Sequence, residues 1–192
     1  MSNRAILMDV EDTLFTNGRL YPDTIAFLES CHNTGIRMVA FTNGGRDSTK
    51  DILERHKIAD LFEFVFSCPD YSMAKPDPRA VNVVRTLLRD EHSFRVSKEN
   101  MFLVGDRPDV DIVCGNRAGI TTIRVKRGGF SHVEPEYDDE KALHNVPDFR
   151  EAAKILNIEM AAKAKTGAGK AGSKKEPKEE KQREVDADYL FR

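Results

Sequence analysis

The stretch Ile6-Leu7-Met8-Asp9-Val10-Glu11-Asp12-Thr13-Leu14 decides how this chain folds. An apolar run of buried-strand length ends on a carboxylate, and a second carboxylate follows two places later. Alternate residues of a strand share a face, so Asp9 and Glu11 can enter one site if the extended geometry persists past Met8. A nucleophile and a general acid need that proximity. Many strands end in solvated acidic turns, so the weight of this one comes from its surroundings in the chain.

Working outward, strand and helix signals alternate. Pro22 opens a helix carrying Ile25, Phe27, Leu28 and Cys31, and Gly35 ends it. Arg37 to Phe41 reads as a second strand, and Asp47 to about Lys57 as a helix with Ile52 and Leu53 inward. Leu61 to Ser67 reads as a third strand, with Phe62, Phe64 and Phe66 on alternate places. Asp77-Pro78 starts a helix as N-cap and first-turn proline, with Val81, Val84, Leu87 and Leu88 on its apolar face. Met101 to Gly105 is a fourth strand. A helix comes next, from Pro108 to Ala118, with Val110, Val113 and Cys114 inward and Gly119 as its stop. Ile120 to Val125 is a fifth strand, and Asp148 with Glu151 forms a capping-box pattern on a last helix. This alternation predicts an α/β fold, a doubly wound three-layer Rossmann-like sandwich around a mostly parallel sheet. Ligands of such sheets bind beyond the carboxyl ends of the strands. The polar residues sit there: Asp9 and Glu11 after the first strand, Thr42 and Asn43 after the second, Lys75 after the third, and Asp106, Asp109 and Asp111 after the fourth.

At 192 residues with 40% hydrophobic content, the chain has material for one ordinary core. Two segments are expected: a catalytic domain over residues 1–159, and a Lys/Ala/Gly/Glu-rich disordered tail over 160–192 with a short apolar end. The formal charge of -2 is uneven, because residues 160–183 carry eight Lys or Arg against three Glu. The acidic remainder argues against a broad nucleic-acid groove, leaving at most weak contact by the basic tail. Cys31, Cys68 and Cys114 show neither zinc spacing nor a disulfide framework, which suits small core residues in a reducing cytoplasm. No signal-peptide run and no membrane-length apolar stretch is present, so a soluble cytoplasmic protein is expected.

Four loops together resemble the haloacid dehalogenase (HAD) superfamily of phosphohydrolases: Asp9-Val10-Glu11-Asp12-Thr13, Phe41-Thr42-Asn43-Gly44, Lys75-Pro76-Asp77-Pro78, and Gly105-Asp106-Arg107-Pro108-Asp109-Val110-Asp111. Each is a weak signal alone. In this order, each after its strand, they are a strong one, over roughly residues 4–157. The resemblance implies a Mg2+-dependent phosphomonoester hydrolase. Asp9 would attack phosphorus to form an aspartyl-phosphate, and Glu11 would act as acid and then base. Thr42, the Asn43 backbone N–H and Lys75 would hold the phosphate. The carboxylates of Asp9 and Asp106 and the backbone carbonyl of Glu11 would hold the metal, with Asp111 orienting Asp106 or water from behind.

Glu11 departs from the family's usual Asp by one methylene, although the enolase-phosphatase branch of the family shares it. The departure keeps a second reading open, a catalytically quiet HAD-like binding or regulatory protein. Dehalogenation and phosphonate cleavage do not normally retain this second acid. Asp12 stands where Gly is common. Neither Leu14 to Arg37 nor Gly44 to Ala74 has room for a separate cap domain, so a capless member is expected. An open site suits a phosphorylated macromolecule, and a homo-oligomer could instead close it over a small molecule. Asn17, Arg19, Arg46 and the loop from Arg127 to His132 are candidate substrate contacts.

Overall fold

The computed structural model describes residues 3–160. The predicted tail lies outside the described residues. Eight strands occur in chain order: β1 (Ala5–Met8), β2 (Phe15–Thr16), β3 (Arg19–Leu20), β4 (Arg37–Thr42), β5 (Phe64–Ser67), β6 (Met101–Gly105), β7 (Thr121–Val125) and β8 (His144–Val146). Six of them form a parallel sheet in the order β5-β4-β1-β6-β7-β8. The other two, β2 and β3, pair as a short hairpin just after the loop carrying Glu11.

β1 lies between β4 and β6, with Met8 opposite Ala40 on one side and Val104 on the other. Both of its faces are covered, which explains its unbroken apolar run. Alternate residues feed two cores. Ile6, Met8, Met38, Ala40 and Val104 pack with residues of α1 (Thr24–Asn33), α2 (Arg46–Arg55) and α5 (Phe149–Ile155), including Phe27, Leu53 and Phe149. Leu7, Val39, Phe41 and Leu103 pack against Val81, Val84 and Leu88 of α3 (Arg79–Asp90) and Cys114 and Ala118 of α4 (Val113–Ala118). Phe27 and Phe149 stack with ring centroids 4.4 Å apart, joining the first helix to the last. The predicted three-layer sandwich is therefore present. The segments between β1 and β4 and between β4 and β6 hold no cap domain.

Several local expectations are corrected. The third strand of the sequence reading begins at Phe64 rather than Leu61, because Ala59–Leu61 forms a tight helical turn that turns Phe62 into the core. Ile25 is exposed, since α1 buries the stripe through Thr24, Phe27, Leu28 and Cys31. The helix after β6 opens as a wide π-type turn, Pro108–Ile112, before tightening into α4, and Val110 is half-buried at the cleft. Gly119 ends α4 in the left-handed region at φ 71°, as its position predicts. No helix among the described residues is long and apolar enough to cross a membrane.

Candidate active site

The switch in strand order around β1 brings three strand ends together. Asp9 prolongs β1 by donating its N–H to Val104 O at 2.9 Å, so its carboxylate is set by the sheet. Lys75 Nζ donates to Asp9 Oδ1 at 2.6 Å, to Asp111 Oδ1 at 2.7 Å and to Phe41 O at 3.0 Å. An ammonium has three protons, and all three are used. Thr13 donates to Asp9 Oδ2 at 2.8 Å and contacts Asp106 Oδ1 at 3.3 Å. Asp111 Oδ2 accepts the Arg107 N–H at 3.1 Å. Gly105 makes this possible: a Cβ there would fall 2.5 Å from Asp111 Cγ.

The predicted residues are thus brought to one place, with two changes of detail. The Asn43 side chain clamps the Lys75 backbone, accepting Lys75 N–H at 2.7 Å and donating to Lys75 O at 3.1 Å. Thr42 is buried, with its Oγ1 accepting Gly44 N–H at 2.8 Å and donating to Glu11 Oε2 at 3.2 Å. Glu11 itself is exposed at the cleft mouth.

Charge in this site is unbalanced. Burial, and next the charge of Asp111, raises Asp9 to about 7 against the pull of Lys75. Burial and the charges of Asp9, Asp111 and Asp12 raise Asp106 to about 8. Burial works to lower Lys75, but Asp111 and Asp9 together raise it and keep it a cation. Asp9, Asp106 and Asp111 each offer an oxygen within 4.8 Å of the others, and buried Asp106 Oδ2 has no hydrogen-bond partner. An all-oxygen donor set, excess negative charge and an orphaned carboxylate oxygen fit a hard divalent cation such as Mg2+. The cleft above has a volume of about 180 Å³ and is open to solvent.

The substrate-contact candidates fare less well. Asn17 and Arg19 belong to the β2–β3 hairpin region and do not line the cleft, and Arg46 pairs with Asp70 at 2.6 Å. Arg127 turns inward to Asp23 at 3.2 Å, between the rings of Tyr21 and Phe149. Of the loop after β7, Phe130 reaches the cleft. Two residues escape sequence reasoning. Arg107 lines the cleft with its guanidinium over the Phe130 ring, 4.4 Å from its centroid. Arg124, fully buried in β7, donates to Asp106 O at 3.1 Å, Phe130 O at 2.9 Å and Val133 O at 2.6 Å. The available signal is a cation inside an apolar strand, which must find partners.

Residues 4–125 match the sequence model of the haloacid dehalogenase-like hydrolases. The chain is 33% identical over 145 residues to glyceraldehyde 3-phosphate phosphatase of Methanopyrus kandleri, covering 76% of this chain and 58% of that one. It is 30% identical to phosphoserine phosphatase of Thermus thermophilus, covering 69% and 49% respectively. The chain therefore spans about half to three-fifths of the length of these curated relatives. An uncharacterized protein from Listeria monocytogenes serotype 4b shares the fold at a TM-score of 0.64 and 21% identity, covering 80% of this chain and 97% of that one.

Proposed function

Because this chain belongs to the haloacid dehalogenase-like hydrolase family, we propose that it is a Mg2+-dependent phosphatase acting on small phosphomonoesters through an aspartyl-phosphate. The observation that carries this reading is the buried Lys75, which joins Asp9 to Asp111 beneath an open cleft. A carboxylate attacking a phosphate dianion needs positive charge beside it, and Lys75 supplies part of that charge in a water-poor setting. Its three bonds fix Asp9 in place before substrate arrives, so little reorganisation remains for the reaction. Small substrates fit the 180 Å³ cleft and the named activities of the relatives, glyceraldehyde 3-phosphate and phosphoserine hydrolysis.

In the first step a carboxylate oxygen of Asp9 bonds to phosphorus and the ester P–O bond breaks. Glu11 gives its proton to the departing alkoxide. In the second step Glu11 takes a proton from water, the water oxygen bonds to phosphorus, and the P–O bond to Asp9 breaks. Thr42 holds a transferred phosphoryl oxygen, Lys75 places its charge beside the phosphoryl group, and Asn43 keeps Lys75 in register through its two backbone bonds. Asp9 and Asp106 with the Glu11 backbone carbonyl would hold Mg2+, and Asp111 would steady the group through Lys75 and Arg107 N–H. When bound, the metal supplies charge neutralisation on the phosphoryl oxygens.

The test is a panel of small phosphomonoesters with Mg2+. Wild type should hydrolyse at least one, and Asp9→Asn should abolish turnover. Glu11→Gln should lower kcat by roughly a hundredfold or more, the usual share of a general acid–base. A silent panel, or a Glu11→Gln variant as fast as wild type, would sink the reading. The quiet, non-catalytic alternative is the less favoured one, since the named relatives are phosphatases.

A further inference from the structure

We infer that Arg107, stacked on Phe130 at the cleft mouth, selects phosphomonoesters whose leaving alcohol carries a second anionic group, an inference that rests on the phosphatase reading above. Lys75 has no proton left for a second anionic group on the substrate, because its three bonds end on Asp9, Asp111 and Phe41 O. The other ionisable groups lining the cleft are the carboxylates of Asp9, Glu11, Asp12, Asp106 and Asp111, with Arg107 as the second cation. Of the two cations lining this cleft, Arg107 is the one with an N–H group left for an anion on the leaving group. A cationic leaving group would find no such bond there.

The Arg107 guanidinium is built for that task. Its plane rests on Phe130 at 4.4 Å, which holds it without consuming its N–H groups. Phe130 is held in turn through its backbone carbonyl by buried Arg124, which also holds Asp106 O, so the cleft wall and the carboxylate site share one anchor. Asp109 occupies Nε and Nη2 at 3.2 and 2.6 Å, whereas Nη1 has no hydrogen-bond partner among the described residues. Asp109 is about half exposed and is not among the residues that line the cleft. It therefore orients Arg107 and partly cancels its charge. A carboxylate or phosphate on the leaving alcohol would take Nη1 as a charge-assisted hydrogen bond. Arg107 thus does from the core what a separate covering domain would otherwise do, namely read the part of the substrate that departs.

The experiment compares kcat/KM for three substrates of one size: 2-phosphoglycolate (anionic leaving group), 2-hydroxyethyl phosphate (neutral) and phosphoethanolamine (cationic). Ethanediol bisphosphate distinguishes a phosphate from a carboxylate as the preferred anion. Wild type should favour 2-phosphoglycolate over 2-hydroxyethyl phosphate by about tenfold or more, the scale of one charge-assisted bond. Phosphoethanolamine should be the poorest. Arg107→Met should bring the anionic-to-neutral ratio near unity, mainly through KM. Asp109→Asn should move the ratio the opposite way, by severalfold, because it removes the negative charge that partly cancels Arg107 and at least one of its two bonds. Both side chains are at the surface, and far-ultraviolet circular dichroism checks that the variants fold. Equal handling of the three substrates by wild type, or an unchanged ratio in both variants, overturns the inference while leaving the phosphatase reading intact. No turnover of any of them overturns the inference, and the phosphatase reading falls with it only if the wider phosphomonoester panel is silent too.

Discussion

Arg124→Met removes a cation that no sequence motif marks, and its cost can be worked from the bonds it makes. Three carbonyls accept from its guanidinium, that of buried Asp106 and those of partly buried Phe130 and Val133. Phe130 O keeps a second donor, the N–H of Val133 at 3.1 Å. Asp106 O and Val133 O lose the guanidinium bond. A buried acceptor left unpaired costs about 1–3 kcal/mol, in full for Asp106 O and less for the partly buried Val133 O, so the pair costs roughly 1–4 kcal/mol. Some is returned, because Arg124 Nη1 is itself buried without a partner and the desolvated charge disappears. A net loss of about 1–3 kcal/mol lowers the melting temperature by roughly 3–10 °C for a domain of this size. Thermal unfolding monitored by circular dichroism measures it. The same substitution releases Asp106 from the Phe130–Val133 segment. Calorimetric titration with Mg2+ should therefore show affinity weakened about 10–100-fold, the usual effect of losing an outer partner of a metal ligand. Arg124→Lys keeps the charge but not the fork, and should fall between. A melting temperature within ~2 °C of wild type together with unchanged Mg2+ affinity would refute the reasoning, since two orphaned carbonyls cannot be free.

Gly105→Ala drives a methyl group to 2.5 Å from Asp111 Cγ, so Asp111 must move off Lys75; we expect a loss of about 1–3 kcal/mol in unfolding free energy and at least a tenfold drop in kcat, and a fully active variant would contradict it. The pH dependence of the metal-free protein is set by Asp9, raised to about 7, and Asp106, raised to about 8. Folded values above the unfolded ones mean these groups favour the native state most in acid, and that contribution is lost as pH rises through about 7–8. Without metal the melting temperature should fall between pH 5 and 8, and the rise given by Mg2+ should be larger at pH 8 than at pH 6; an equal or opposite increment would refute the assignment.

The residues that sequence can name are those whose value is local. Asp9, Thr42 and Asp106 lie at or just past strand ends and Lys75 in the longer connection after β5, and a parallel sheet gathers its carboxyl-terminal strand ends along one edge. β1, β4 and β6 are legible for the same reason, as continuous apolar runs buried on both faces. β8 is not legible: His144-Asn145-Val146 has one core side chain, and the strand exists because β7 offers it an edge. The hairpin strands are two residues each and leave no periodicity to read. Arg107, Arg124 and Arg127 share a different obstacle. Each is defined by a partner that only folding supplies, namely Phe130, Asp106 O and Asp23. The loop after β7 does reach the cleft, but through Phe130 rather than through its first residue. Arg127 is worth more inside, between Tyr21 and Phe149, than at the surface.

Glu11 poses the sharpest question about the chemistry, and the fold around it offers a physical answer. One methylene beyond Asp adds ~1.5 Å of reach, enough to misplace a proton donor if the side chain simply extended. Glu11 Oε2 accepts a hydrogen bond from the Thr42 hydroxyl at 3.2 Å, so the longer side chain is held against the residue proposed to hold phosphate. Gly44 leaves the room for this: a Cβ there would approach Thr42 Oγ1 to 3.2 Å and Glu11 Oε1 to 3.3 Å. Thr42 has one proton to give. It cannot serve Glu11 and a phosphoryl oxygen at once, so under the proposed mechanism an arriving phosphate would displace the Glu11 carboxyl group from Thr42 as it accepts that hydrogen bond. Glu11 already lines the cleft from which the alcohol would leave. The extra methylene then works as a tether long enough to reach both partners in turn, where a shorter Asp would need the two to lie closer together.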